Sequence, residues 1–266
     1  MNAHTPAFEA IHNFRDCGGL PVRGGGAMRR GRLYRSAHFP QATDADLAAM
    51  QRLGISVIVD LRRPPEREAF PCRRWPGFDA RLIEHGGATD MVLPPHLAAF
   101  ERAGTSRDEA AAALTQIYRE MPFDPMFVAL LRDYFAALAD ADGAVLVHCA
   151  AGKDRTGVAV ALTHHVLGVD EAAMLADYLA TNASVEARFA DAAPMRAFLG
   201  REGHPVSDEA IRVILGVQPG FLHEAFAAMG AGHGSVDGYL TDAIGVTAGQ
   251  RGAIARRLTE RGPEAA

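Results

Sequence analysis

His148-Cys149-Ala150-Ala151-Gly152-Lys153-Asp154-Arg155-Thr156-Gly157 is the stretch from which the rest of the chain is read. Before it stand Gly143 and then Ala144-Val145-Leu146-Val147, a short apolar run with β-branched members, bounded by a glycine. Such a run reads as a buried strand. After it come Val158-Ala159-Val160-Ala161-Leu162, wholly apolar, which read as a buried helix opened at Thr156. A cysteine therefore ends a strand, five residues follow, and an arginine leads into a helix. A tight loop in that place points successive backbone N–H groups into one concavity, and the helix N-terminus adds positive potential. An oxyanion such as a phosphate fits there. Gly152 lets the backbone turn without a side-chain clash. Arg155 can grip two phosphate oxygens with its planar fork. Cys149 lies at the floor of the cradle, in a setting of helix end and cations that favours a thiolate nucleophile.

Cys149, five residues and Arg155, preceded by His148 and followed by Thr156-Gly157, resemble the signature of the protein tyrosine phosphatase superfamily. The interior Gly152-Lys153-Asp154 is similar to the bacterial atypical members of that superfamily, a group typified by a secreted mycobacterial enzyme. The resemblance implies an α/β fold with a small central, mostly parallel sheet flanked by helices. It also implies hydrolysis of phosphotyrosine, and further of phosphoserine/threonine or phosphoinositide monoesters, through a phosphocysteine intermediate with no cofactor. Outside the signature, Asn13-Phe14-Arg15-Asp16, Arg32-Leu33-Tyr34-Arg35-Ser36, Thr115 to Met121, Asp177-Tyr178-Leu179 with Thr181-Asn182, and Gly238-Tyr239-Leu240 resemble further family blocks. The first two read as scaffold near the active-site face.

These residues take the following roles. Cys149 is the nucleophile and Arg155 the phosphate clamp. Thr156 donates a hydrogen bond to the sulfur as it leaves, and His148 fixes the loop. The backbone of Ala150, Ala151, Gly152 and Lys153 binds the phosphate. Asp154 is less settled: a carboxylate inside an anion cradle opposes phosphate unless it donates a proton to the leaving oxygen, orders the loop or water, or pairs with Lys153 or Arg155. Lys153 is either a second cation at the mouth, an arrangement that resembles phosphoinositide phosphatases, or a solvated lysine. In the superfamily the loop after the corresponding strand carries an acid. Asp90 is the aspartate that stands there, between Asp79 and Asp108. Arg62 and Arg63, after the strand Ile55 to Leu61, either join the anion site or form a loop with an internal salt bridge.

The bounds of the chain agree with this. Its 266 residues are 48% hydrophobic, which is globular, and no linker or repeat divides them. Residues 1–266 therefore read as a single phosphatase domain whose helical carboxyl-terminal part, from about 184 to 266, packs on the rest. A net charge of −5 argues against general nucleic-acid binding while leaving room for a local anion site. Three cysteines with no CxxC suit a reducing compartment. No basic-then-apolar leader and no run of about 20 apolar residues is present, so a cytoplasmic protein without a membrane segment is expected. Export by a route without a cleaved signal stays open, and nothing argues against a monomer. His164-His165 invite a metal, but adjacent helical positions point about 100° apart and no further ligand lies at helical spacing, so no metal is assigned.

Along the chain, Val22 to Arg30 is Gly-rich and basic and reads as a hairpin turn or a loop. Thr43 and Asp46 form a capping box, Pro64-Pro65 open a short helix, and Asp79 to Glu84 can be a strand. Ser106 caps an alanine-rich helix, and Asp124-Pro125 start another with a broad apolar stripe. Ser184 to Leu199, Ser207 to Leu215, Pro219 to Met229, Ser235 to Ile244 and Thr247 to Leu258 read as helices, with Gly230 to Gly234 a turn. Three other classes compete: a rhodanese-like sulfurtransferase, which needs no Arg155-Thr156-Gly157; a phosphate-binding pseudoenzyme, which needs only the cradle; and a metal-dependent hydrolase, which lacks a ligand cluster.

Overall fold

A computed structural model describes residues 6–86, 106–189 and 207–260. A five-stranded sheet is built from β1 (Arg15–Asp16), β3 (Leu33–Ser36), β6 (Ala144–His148), β4 (Ile55–Asp60) and β5 (Arg81–Ile83), in that spatial order. β1 is antiparallel to β3, while the other three pairings are parallel. β6 lies in the centre and all five of its residues are buried, which is why Ala144 to Val147 are apolar without alternation. A second, two-stranded sheet joins β2 (Ala27–Met28) to β7 (Thr259–Glu260).

Both faces of the large sheet are covered. On one side lie α1 (Asp44–Arg52), Phe39, Trp75 and the inward residues Ile58 and Leu146. On the other lie α3 (Arg107–Glu120), α4 (Pro125–Asp140), α5 (Asp154–Leu167) and the carboxyl-terminal helices. The short α2 (Pro64–Ala69) follows β4. After α5 come α6 (Glu171–Leu179), α7 (Thr181–Phe189), α8 (Asp208–Leu215), α9 (Pro219–His233), α10 (Val236–Asp242) and α11 (Ala248–Leu258). α4 shows why the sequence folds this way. Asp124 accepts the Phe127 N–H at 2.8 Å, Pro125 occupies the first turn, and Phe127, Leu130, Leu131, Tyr134, Phe135 and Leu138 are all buried. Each large side chain so buried contributes about 1.5–3 kcal/mol. The boxes at Thr43/Asp46, Ser106/Glu109 and Thr247/Gln250 each close reciprocally.

Four local expectations are corrected. α5 begins at Asp154 rather than Thr156, so Arg155 lies in its first turn. Gly230 and Gly232 lie inside α9 instead of forming a turn, and the helix ends only at Gly234 with φ 75°. Packing outweighs the glycine cost of roughly 1 kcal/mol each: Phe221, Leu222, Ala225 and Met229 are buried, and a Cβ on Gly232 would come within 3.3 Å of the Phe123 ring. The described chain ends in strand β7 rather than in helix, which ties the carboxyl-terminal helices to the amino-terminal turn. The helix expected from Ser184 begins earlier, at Thr181, and residues 190–206 lie outside the described residues. Among the described residues no helix is long and apolar enough to cross a membrane.

Candidate active site

The loop from Cys149 to Asp154 sits at the carboxyl end of the central strand, where parallel sheets place ligands. Its carbonyls are tied outward. His38 N donates to Ala150 O at 3.0 Å, and Asn13 Nδ2 donates to Ala151 O at 3.1 Å and Gly152 O at 2.9 Å. Arg35 adds a bond to Gly152 O at 2.9 Å. No peptide is cis among the described residues, so each following N–H points opposite to its tied carbonyl. The scaffold reading of Asn13, Arg15 and Arg35 thus has a geometry. Asp177 receives both arginines at 2.8 Å, and Arg15 also bonds Asn13 Oδ1. Burial works against the Asp177 charge, yet Arg35 and Arg15 hold its carboxyl well below the usual range. Gly152 has φ 67°, and a Cβ there would lie 2.3 Å from Ser36 O, so no other residue fits without moving the loop.

Cys149 is 2% exposed at the floor of this cradle. Arg155 is buried as well. Its NH1 and NH2 donate to Glu66 Oε2 at 2.7 Å and Oε1 at 2.6 Å, and NH1 also reaches Leu61 O at 2.9 Å. Burial opposes the guanidinium charge, but the Glu66 carboxylate more than offsets it and holds the group above its ordinary value. Arg155 Nε and the Thr156 hydroxyl are buried and take no hydrogen bond among the described residues. Glu66 is itself oriented by the Arg63 N–H at 2.9 Å. The clamp is bidentate on the protein side, which fixes the plane of the fork.

Asp154 and Lys153 are both buried. Asp154 Oδ1 accepts from the Tyr118 hydroxyl at 2.8 Å and lies 3.3 Å from Lys153 Nζ. Lys153 is not a solvated lysine. Its ammonium donates to Ile214 O and, at 3.2 Å, to Gly216 O, so it fastens the loop to the end of α8. Asp90 lies outside the described residues.

His148 and Arg62 form a second layer beneath the loop. Asp60 takes Arg62 Nε at 2.9 Å and NH2 at 2.7 Å, and His148 Nε2 lies 3.6 Å from the same carboxylate. Arg62 is therefore an internal ion pair, whereas Arg63 faces the cleft beside Arg155. Asp60, Cys72 and His148 bring potential ligand atoms within 4.8 Å of one another, but the Arg62 guanidinium touches Asp60 and, at 3.3 Å, Cys72 Sγ. A cation already occupies that position. His165 pairs with Asp237 at 3.4 Å, away from His164.

Burial pushes His38, His148 and His164 down to about 4 each, with the Arg62 charge adding to the effect at His38. For Asp60, burial is overcome by His148 and Arg62, leaving its carboxyl at about 2. The imidazoles are neutral in the folded chain and take up protons near pH 6.5 once unfolded. The unfolded state thus binds more protons between pH 6.5 and 4, and stability falls as pH falls through that window. Below about pH 4 the loss continues as Asp60 approaches its folded value. Melting temperature measured from pH 8 to pH 4 is expected to drop below pH 6.5, as the unfolding free energy falls by a total on the order of a few kcal/mol. A flat curve from pH 7 to pH 4.5 would refute this account of the buried imidazoles.

Beside Arg155 opens a cleft of about 460 Å³, lined by Leu61, Arg63, Ile117, Met121, Phe123 and Phe127 among others. Its surface is mostly apolar, with Arg63, Arg119 and Arg155 among the lining residues, and it would accept an apolar group attached to an oxyanion. Two residues here escape sequence reasoning. Glu66 carries a weak signal as the third residue of a proline-opened helix, where a carboxylate caps. Tyr118 lies in the Thr115 to Met121 block that resembles the family, but nothing in that block marks it as a partner of Asp154.

A profile of the tyrosine phosphatase family matches residues 6–260. A candidate tyrosine-protein phosphatase of Cupriavidus necator is 37% identical over 253 residues, 93% of this chain and 86% of that protein. The triple specificity protein phosphatase PtpB of Mycobacterium tuberculosis is 33% identical over 255 residues, 87% of this chain and 91% of that protein. A tyrosine-protein phosphatase of Nostoc commune is 30% identical over 166 residues, 61% of this chain and 52% of that protein.

Proposed function

This chain belongs to the tyrosine phosphatase family and is a cysteine-dependent phosphatase, and from that premise we propose that Cys149 and Arg155 hydrolyse phosphotyrosine by a two-step route. The Cys149 thiolate attacks phosphorus, an S–P bond forms and the P–O bond to the leaving oxygen breaks. Asp154 gives that oxygen its proton, with Asp90 the second candidate for the same task. Water then attacks phosphorus, returns a proton to the carboxylate and releases inorganic phosphate, while Thr156 donates to the departing sulfur. The inward amides of the Ala150 to Lys153 segment and the Arg155 fork stabilise the charge on the transferring group. His148 stays neutral under the loop, and Lys153 fixes the loop rather than touching bulk solvent.

The observation that carries this reading is the cleft. It adjoins Arg155, is lined by Ile117, Met121, Phe123 and Phe127, and its volume of about 460 Å³ leaves room for an aryl side chain. Phosphoserine and phosphothreonine peptides and phosphoinositides, which the resemblance brings in, present a shorter or more polar leaving group and rank behind. The partner is thus a phosphoprotein met by a monomer of a single domain spanning 1–266. Three unpaired cysteines favour a reducing, cytoplasmic setting. Initial rates without added metal on a phosphotyrosine peptide, a phosphoserine peptide and a short-chain phosphoinositide test the ranking. The phosphotyrosine peptide is expected to lead by about tenfold or more in kcat/KM. Phosphoinositide in the lead would overturn it, and consumption of thiosulfate instead would favour sulfur transfer.

A further inference from the structure

We propose that Tyr118 is a positioning residue for the proton-transfer step: its hydroxyl pins one oxygen of the Asp154 carboxylate so that the other faces the leaving group. This rests on Asp154 being the acid. Tyr178 OH donates to Tyr118 OH at 2.7 Å, and Tyr118 OH donates to Asp154 Oδ1 at 2.8 Å. A hydroxyl carries one proton, so this chain has a direction: Tyr118 gives its proton to Asp154 and must accept one from Tyr178. Both phenols are buried, Tyr118 at 0% and Tyr178 at 1% exposure. Burial, aided by the Asp154 charge, pushes both well above their ordinary range, so they remain neutral donors.

The rest of the surroundings hold this arrangement rigid. Tyr118 stacks on Phe221 with ring centroids 5.5 Å apart and meets Tyr178 edge-on at 6.5 Å. Lys153 Nζ approaches the same Oδ1 at 3.3 Å. Oδ2 takes no hydrogen bond among the described residues. A carboxylate with one oxygen doubly held cannot rotate freely, so the direction of the other oxygen is set before substrate arrives. The α3 neighbours of Tyr118, Ile117 and Arg119, line the cleft that takes the leaving group. One helix therefore both shapes the leaving-group site and holds the acid that serves it. A purely structural buried phenol has no reason to end its chain on a carboxylate inside an anion-binding loop.

The test compares kcat/KM for phenyl phosphate, a poor leaving group that needs the proton, with 2,4-dinitrophenyl phosphate, which does not. Wild type, Tyr118→Phe, Tyr178→Phe, Asp154→Asn and the Tyr118→Phe/Asp154→Asn double variant are measured, with thermal melts to confirm folding. Tyr118→Phe is expected to lower kcat/KM for phenyl phosphate about tenfold, and at least about fivefold more than for the dinitrophenyl ester. Tyr178→Phe is expected to do the same more weakly. The double variant is expected to fall no lower than Asp154→Asn, because the two residues act as a unit. An equal loss on both esters in Tyr118→Phe, or additive losses in the double variant, would overturn the positioning role alone. If Asp154→Asn itself shows no dependence on the leaving group, Asp154 is not the acid and both readings fall.

Discussion

Cys149→Ser is expected to bring hydrolysis of every phosphate monoester to background, a loss of about 10⁴-fold or more. The exchange is nearly isosteric, and Cys149 is 2% exposed within a loop held by Asn13, Arg35 and His38, so the fold and the cradle should survive. What disappears is the nucleophile. A serine hydroxyl stays protonated at neutral pH, and His148, its neighbour among the described residues, is buried against Asp60 and is not placed to act as its base. Binding should therefore outlast turnover: the variant is expected to retain a phosphotyrosine peptide within about threefold of the wild-type affinity. Initial rates and calorimetric titration of the same preparation separate the two. Turnover that survives in the serine variant would remove the thiolate mechanism. Loss of binding together with turnover would instead point to a collapsed loop.

Arg155→Lys is expected to cost about 10²–10³-fold in kcat/KM, although charge is conserved. The guanidinium spends NH1 and NH2 on Glu66 and Leu61 O and leaves Nε without a hydrogen-bond partner among the described residues. A single ammonium cannot hold a buried carboxylate with two bonds and also present a fixed donor to a phosphate oxygen. The same substitution leaves Glu66 under-paired in a buried position, so the variant should also be less stable by about 1–3 kcal/mol. Glu66→Gln tests the arrangement from the other side. It keeps the shape, frees the fork from its counter-charge, and should lower kcat/KM by about tenfold while raising KM less. Kinetics of both variants with melting curves check this. Arg155→Lys within threefold of wild type would show that position, not bidentate geometry, is all the site requires.

The legible part of this protein is local. The strand before His148, the turn at Gly152 and the helix beyond it follow from ten consecutive residues and their neighbours. Burial of β6 and the positive φ of Gly152 are short-range consequences of that string, whereas the start of α5 lies two residues earlier than the apolar run suggested. The helix starts at Thr43, Ser106, Asp124 and Thr247 were legible for the same reason, since a cap is a contact between residues three apart. The α9 turn was misread because glycine spacing is local, while the packing that keeps Gly232 helical, against Phe123, comes from a distant segment.

The partners that turn the loop into a site were not legible. Glu66 meets Arg155 across 89 residues, Tyr118 meets Asp154 across 36, and Lys153 reaches Ile214 and Gly216 across 61 and 63. No periodicity or spacing rule encodes such pairings, because they depend on how the sheet brings separate elements to one edge. The sequence by itself determined where Cys149, the Gly152 turn and Arg155 stand, since those are properties of adjacent peptide units. Only the tertiary structure decided that the arginine is clamped, that the aspartate is pinned by a phenol, and that the lysine faces inward rather than outward. These are contacts between buried charges and dipoles, and only the completed packing removes the water that would otherwise separate them.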